Sequence, residues 1–182
     1  KLGKEAFAIF ISVLKEEGEI IAPKSNGVEL VYGPIEHASE IDFTTIPLDN
    51  PKNYIFPITE TILEIDNNYL KTPVKSKKRV LLGLRPCDIA AFRCLKAFFE
   101  DYAREGKISD PIVTSKLNSL TMVAYNCPEP KEHCFCTAMG TGPVVTENFD
   151  LALTDIGNAY LVETCSAKGE SIVRKLSVLS AS

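Results

Sequence analysis

The chain has little of what would place it in a membrane or send it across one. No stretch approaches the roughly 18 uninterrupted apolar residues of a spanning helix. Its start, Lys1-Leu2-Gly3-Lys4, leads into a charged amphipathic segment rather than an apolar signal core with a cleavage site. A cytosolic location is the expectation. Positive charge is scarce as well: 20 Lys and Arg against 24 Asp and Glu leave a net charge of −4, which argues against generic nucleic-acid binding through a basic surface. The one basic run, Lys75-Ser76-Lys77-Lys78-Arg79, precedes an apolar stretch and reads as a solvated lead-in, with docking of an acidic partner as the sharper alternative. Internal repeats and low-complexity segments are missing. So is any G-x-G-x-x-G or Walker pattern after a strand, which weakens nucleotide binding as a reading. With no initiator Met, the chain reads as a fragment.

What is present is a folded composition with an unusual number of thiols. The 182 residues are 45% hydrophobic and 24% charged, with 9 Phe and 6 Tyr, enough to bury a core without disulfide staples. The expectation is a single domain over 1–182, with 1–70 as a helix and hairpin portion and 71–182 as the portion that carries the site. Without an export signal, the six cysteines read as reduced thiols or metal ligands rather than a disulfide framework.

Hydrophobic periodicity predicts the elements. Phe7, Phe10, Ile11 and Leu14 recur at helical spacing, so 4–16 reads as an amphipathic helix ended by Gly18. Glu19–Ala22 and Val28–Tyr32 read as a hairpin. From Pro34 to Pro73 prolines punctuate the chain, and loops with one short helix near Thr59–Ile65 are expected. Val80–Leu84 and Leu120–Tyr125 are continuous apolar runs of the buried-strand kind. Ile89–Tyr102 keeps helical period, and Ser109-Asp110-Pro111 suits a helix start with Pro in the first turn. Phe149–Thr154 and Ala159–Thr164 flank a credible turn at Asp155-Ile156-Gly157-Asn158. Ser166–Leu176 closes as a helix. This is α/β grammar: a mixed sheet flanked by helices, with a cysteine-rich loop at strand carboxyl ends.

Four cysteines carry the chemistry. Cys87 lies in Leu84-Arg85-Pro86-Cys87-Asp88, and Cys127, Cys134 and Cys136 lie in the loop that runs from Asn126 to about Asn148. Both groups begin where an apolar strand ends, and ligands in open α/β sheets gather at strand carboxyl ends. If the two strands are parallel neighbours, the four thiols converge on one edge. Cys87 also sits near a helix N-terminus, where the dipole favours a thiolate. The pattern C-x₆-C-x-C plus one distant cysteine matches neither paired zinc knuckles nor the ferredoxin run. Soft thiolate ligands put an iron–sulfur cluster first, zinc second, and redox-active or merely packed thiols third. Gly140 and Gly142 suit backbone conformation, and their loop would bring N–H groups near a sulfur-rich anion. Cys94, two turns beyond Cys87, and Cys165, at a strand end, read as buried small hydrophobes. His133 reads as an exposed loop residue that is at most a substitute ligand, and His37 carries no signal. Arg85 and Asp88 read as an ion pair and helix cap, or else Arg85 offsets cluster charge. Glu60 has either a structural role or one facing a cofactor.

The strings Leu82-Gly83-Leu84-Arg85-Pro86-Cys87-Asp88-Ile89-Ala90-Ala91, Asn126-Cys127, Cys134-Phe135-Cys136-Thr137-Ala138-Met139-Gly140-Thr141-Gly142-Pro143 and Phe149–Asp155, with Phe56-Pro57-Ile58-Thr59-Glu60 upstream, resemble the hydrogenase/sulfur reductase beta-subunit family over roughly residues 45–165. That family includes soluble sulfhydrogenase beta subunits and the A subunit of anaerobic sulfite reductase. The resemblance implies that Cys87, Cys127, Cys134 and Cys136 bind one [4Fe-4S] cluster, with Arg85, Gly140 and Gly142 beside it. It further implies an electron carrier rather than the place of substrate chemistry. Its partners would be a hydrogenase or sulfite/sulfur reductase catalytic subunit and a flavin-containing, NAD(P)H-reactive subunit. Family members continue into a C-terminal ferredoxin-like module, absent before Ser182, so a two-cluster relay is incomplete over these residues. The rival readings are a structural zinc-binding assembly module and a thiol/disulfide sulfur-handling protein in which Cys134 and Cys136 cycle.

Overall fold

A computed structural model describes residues 1–66, 69–72, 76–104 and 110–179, with backbone alone for 100–104. The elements run β1 (Leu2–Gly3), α1 (Phe7–Glu17), β2 (Glu19–Ser25), β3 (Leu30–Pro34), β4 (Glu64–Asp66), β5 (Tyr69–Lys71), β6 (Arg79–Leu84), α2 (Pro86–Arg104), α3 (Pro111–Ser119), β7 (Leu120–Tyr125), β8 (Leu151–Asp155), β9 (Ala159–Thr164) and α4 (Ala167–Leu179). Seven strands form one mixed sheet in the order β1-β9-β8-β7-β6-β2-β3. Its centre, β2-β6-β7-β8, is parallel, and antiparallel β3 on one side and β9 and β1 on the other complete it.

The central strands are apolar without alternation because both faces are covered. Val80, Leu82, Val123 and Leu151 pack with Phe10 and Leu14 of α1 and Ile172 of α4. Leu81, Ala124 and Ala152 pack on the other face with Ile89 and Phe92 of α2 and Val113 of α3. Leu84 breaks the alternation. The β6–β7 register slips between Leu82 and Leu84, at Gly83 with φ +84°. That bulge turns Leu84 onto the α2 face and re-aims the chain into Arg85.

The expected mixed sheet, hairpin β2–β3, buried strands β6 and β7, and closing helix are all present. Asp110 caps α3, its carboxylate accepting from the N–H groups of Ile112 and Val113, while Ser109 lies outside the described residues. The expected helix near 59–65 is not formed. Residues 64–66 and 69–71 instead make a separate two-stranded antiparallel pair. Leu63, Glu64, Ile65 and Asp66 alternate at period two, and the β-branched Thr59, Thr61 and Ile62 lose rotamer freedom in a helix. Within the basic run, Lys77 and Arg79 are tied to Glu19, and Lys75 lies outside the described residues. Among the described residues, no helix is long and apolar enough to cross a membrane.

Candidate functional site

Parallel pairing of β6 with β7 brings two chain reversals to the same sheet edge. After β6 comes Arg85, then Pro86 and Cys87 in the first turn of α2. After β7 comes buried Asn126, then Cys127 and the loop. Asn126 holds the loop at both ends. Its N–H donates to the Leu153 carbonyl at 2.9 Å, its Nδ2 to Thr154 Oγ1 at 2.8 Å, and its Oδ1 accepts from the Val145 N–H at 2.9 Å. Further along, the Cys127 N–H donates to the Pro143 carbonyl at 3.1 Å and the Thr141 N–H to the Cys136 carbonyl at 2.8 Å. These bonds fold the loop back so that Cys136 faces the start of α2. A Cβ on Gly142 would lie 3.1 Å from Cys136 Sγ and 3.3 Å from Pro86 Cβ.

All six cysteines are free. The Cys87 thiol feels Cys127, and Cys127 feels both Cys136 and Cys134, so the four thiols share one neighbourhood. They are not drawn tightly together: among the described residues, no three His, Cys, Asp or Glu side chains form a metal-holding group. Cys134 Sγ instead accepts the Lys131 N–H at 3.3 Å. Partial burial pushes the Cys87 thiol up to about 11, helped by Asp88 and Cys127, and outweighs the backbone donors at the helix start. Burial also raises Cys127, while the Arg85 guanidinium pulls the other way. The helix terminus therefore does not by itself make Cys87 a thiolate.

Arg85 is 4% exposed. One guanidinium nitrogen, Nη2, donates to the carbonyls of Phe43 (3.1 Å) and Thr45 (3.0 Å). Its Cζ lies 4.9 Å from the Tyr125 ring centroid, and Phe43 stacks on that ring at 4.4 Å. The Arg85 Nε is buried with no hydrogen-bond partner. Asp88 acts as the expected helix cap, its carboxylate accepting the Arg85 backbone N–H at 2.9 Å, but the expected ion pair is not formed, because the guanidinium turns to the Phe43 and Thr45 carbonyls instead. Tyr32 donates to the Gly83 carbonyl at 3.2 Å and reaches the same carboxylate at 3.4 Å. A cavity of about 50 Å³ lies between Phe43, Ile46, Arg85, Cys127 and Lys131. A second, about 200 Å³, separates the 140–148 segment from Pro86, Ile89 and Arg93 of α2.

Four free thiols in one neighbourhood and a buried cation with an orphaned donor fit a sulfur-rich, anionic group. Gly140, at φ +64°, meets the expectation of a conformational role. Gly142 is not in the left-handed region, and close packing accounts for it instead. Two expectations are corrected: Cys94 and Cys165 are exposed. Five residues beyond Ile89, Cys94 falls on the opposite face of α2 from Ile89 and Phe92, and Cys165 lies beyond the end of β9, an exposed stretch. Glu60 pairs with Lys116 of α3, a structural tie. His133 is exposed. Asn126, Phe43 and Tyr125 were not readable as site residues. Gly83 left a signal, since an isolated glycine inside a strand marks a bulge.

No family model matches the chain, and no solved structure matches it. It is 27% identical over 175 residues to a curated protein, Sulfhydrogenase 2 subunit beta of Pyrococcus furiosus, in a match that covers 95% of this chain and 50% of the relative. The chain thus spans about half the length of that protein.

Proposed function

We propose, on the premise that this chain is related to the hydrogenase beta-subunit family, that it is an iron–sulfur electron-transfer unit of a multi-subunit oxidoreductase. The reading is supported by four free thiols in one neighbourhood at the carboxyl ends of β6 and β7, near the buried Arg85, although no three of them are drawn into a metal-holding group among the described residues. Cys87, Cys127, Cys134 and Cys136 would hold the group, and a bound [4Fe-4S] cluster would supply reversible one-electron storage. Asn126 anchors the loop that carries three of the four thiols. Gly142 lets that loop approach Cys136 and Pro86, where any side chain would intrude. Exposure of Cys87 and Cys134 puts the site at the surface, which suits exchange with other subunits. Those partners are a hydrogenase or sulfur/sulfite reductase catalytic subunit on one side and a flavin-bearing, NAD(P)H-reactive subunit on the other. The chain's role is to hold and tune, with substrate chemistry elsewhere.

Anaerobic purification with iron, acid-labile sulfide and zinc analysis tests this. The expected product is brown, with about four iron and four sulfide per chain, and Cys134→Ser lowers both. Stoichiometric zinc without sulfide overturns the reading in favour of a structural zinc module. No metal after anaerobic reconstitution, with a disulfide forming reversibly between Cys134 and Cys136, favours the sulfur-handling alternative.

A further inference from the structure

Arg85 is built at odds with the protein around it. A guanidinium has five N–H donors and stays charged at any working pH, and burying such a charge is costly unless it is paired. Yet among the described residues no carboxylate lies within ion-pair distance of it. Asp88, the nearest acid on the same turn, spends its carboxylate on the Arg85 backbone N–H and on Tyr32. The two carbonyls and the Tyr125 face are neutral partners, and Nε has none. The position is not an accident of a loose side chain. The Gly83 bulge directs the chain inward, and the 43–45 segment, with Phe43 on Tyr125, closes over the guanidinium. The Cys127 thiol lies against it, and Glu129 and Lys131 line the same small cavity.

We infer that Arg85 is the positioning residue of the thiol site. It fastens the 43–45 segment over the site through two carbonyls and supplies the buried positive charge that an anionic sulfur centre lacks. The inference rests on the cluster reading and deepens it by naming what sets the centre's potential. A cluster held by four thiolates gains one negative charge when it takes up an electron. A fixed cation beside Cys127 favours that reduced state, since potential follows net charge and hydrogen bonding to sulfur.

The test is a redox titration of the reconstituted protein followed by electron paramagnetic resonance. Arg85→Gln is expected to lower the midpoint potential, with the oxidised-to-reduced ratio at a given poise rising about tenfold, ~59 mV for one electron. Arg85→Lys keeps the charge and is expected to restore most of the potential. Arg174→Gln, which removes an exposed charge on α4, is expected to leave it unchanged. Wild-type protein without iron sinks the cluster reading and this inference with it. Wild-type protein that loads fully while Arg85→Gln keeps its potential overturns the inference alone. Should Arg85→Gln fail to load, Arg85→Lys decides: recovered iron and sulfide support the charge role, and equal loss overturns it.

Discussion

Single residues carry the sharpest consequences. In α4, a Cβ on Gly169 would sit 2.0 Å from the Asp150 carbonyl oxygen, and backbone cannot yield as a side-chain tip can. Gly169→Ala is therefore expected to cost about 2 kcal/mol or more, read as a lower urea midpoint with an unchanged slope. Gly83 combines a left-handed φ with a Cβ position 2.7 Å from the Phe43 ring, so Gly83→Ala strains both the bulge and the segment that Arg85 fastens. Glu40 offers a pH test. The Lys24 ammonium, with the N–H groups of His37 and Glu36, holds its carboxyl down to about 2. A depressed carboxylate contributes stability that is present above its ordinary value of 4.5 and lost as pH falls towards 2. Glu40→Gln should flatten that part of an acid-unfolding curve, and an unaltered curve would show that the contact contributes nothing.

At the level of elements, α3 is short and depends on its start. Asp110 satisfies two N–H groups that the helix itself cannot. Asp110→Ala is expected to lower stability by about 1 kcal/mol, visible as a small fall in melting temperature, while Asp110→Asn should be nearly silent. Most elements were legible in the sequence for simple reasons. Continuous apolar runs at 80–84 and 120–125 mark strands covered on both faces, and Asp110-Pro111 announces a helix. Residues 59–65 misled because a short, proline-bounded stretch satisfies helix and strand templates equally. Period-two alternation at 63–66 was the better guide. Cys94 and Cys165 misled because residue type was weighed above helical angle and strand end.

For the whole molecule, the site lies between segments distant in sequence: 43–45, 85–87, 126–136 and 140–145. A group that binds all of them stabilises the folded state by its binding free energy. Loading with iron and sulfide at about a hundredfold above the dissociation constant should add roughly 2.7 kcal/mol. In a chain of this size that corresponds to a rise of about 5–10 °C in melting temperature, reversed by chelation. A melt indifferent to loading would count against a site shared by these segments.

The sequence by itself determined the α/β class and most strands and helices, and it singled out four thiols as candidates, because apolar period and soft-ligand chemistry are local properties. It placed Cys87 and Cys127 after strands, and their meeting depended on whether those strands are parallel neighbours. Only the tertiary structure decided that β6 pairs with β7, that Asn126 pins the loop, and that Arg85 is enclosed by Phe43 and Tyr125 with a donor to spare. Pairing, burial and partnerless donors arise from contacts between residues far apart in the chain, and no local pattern encodes them.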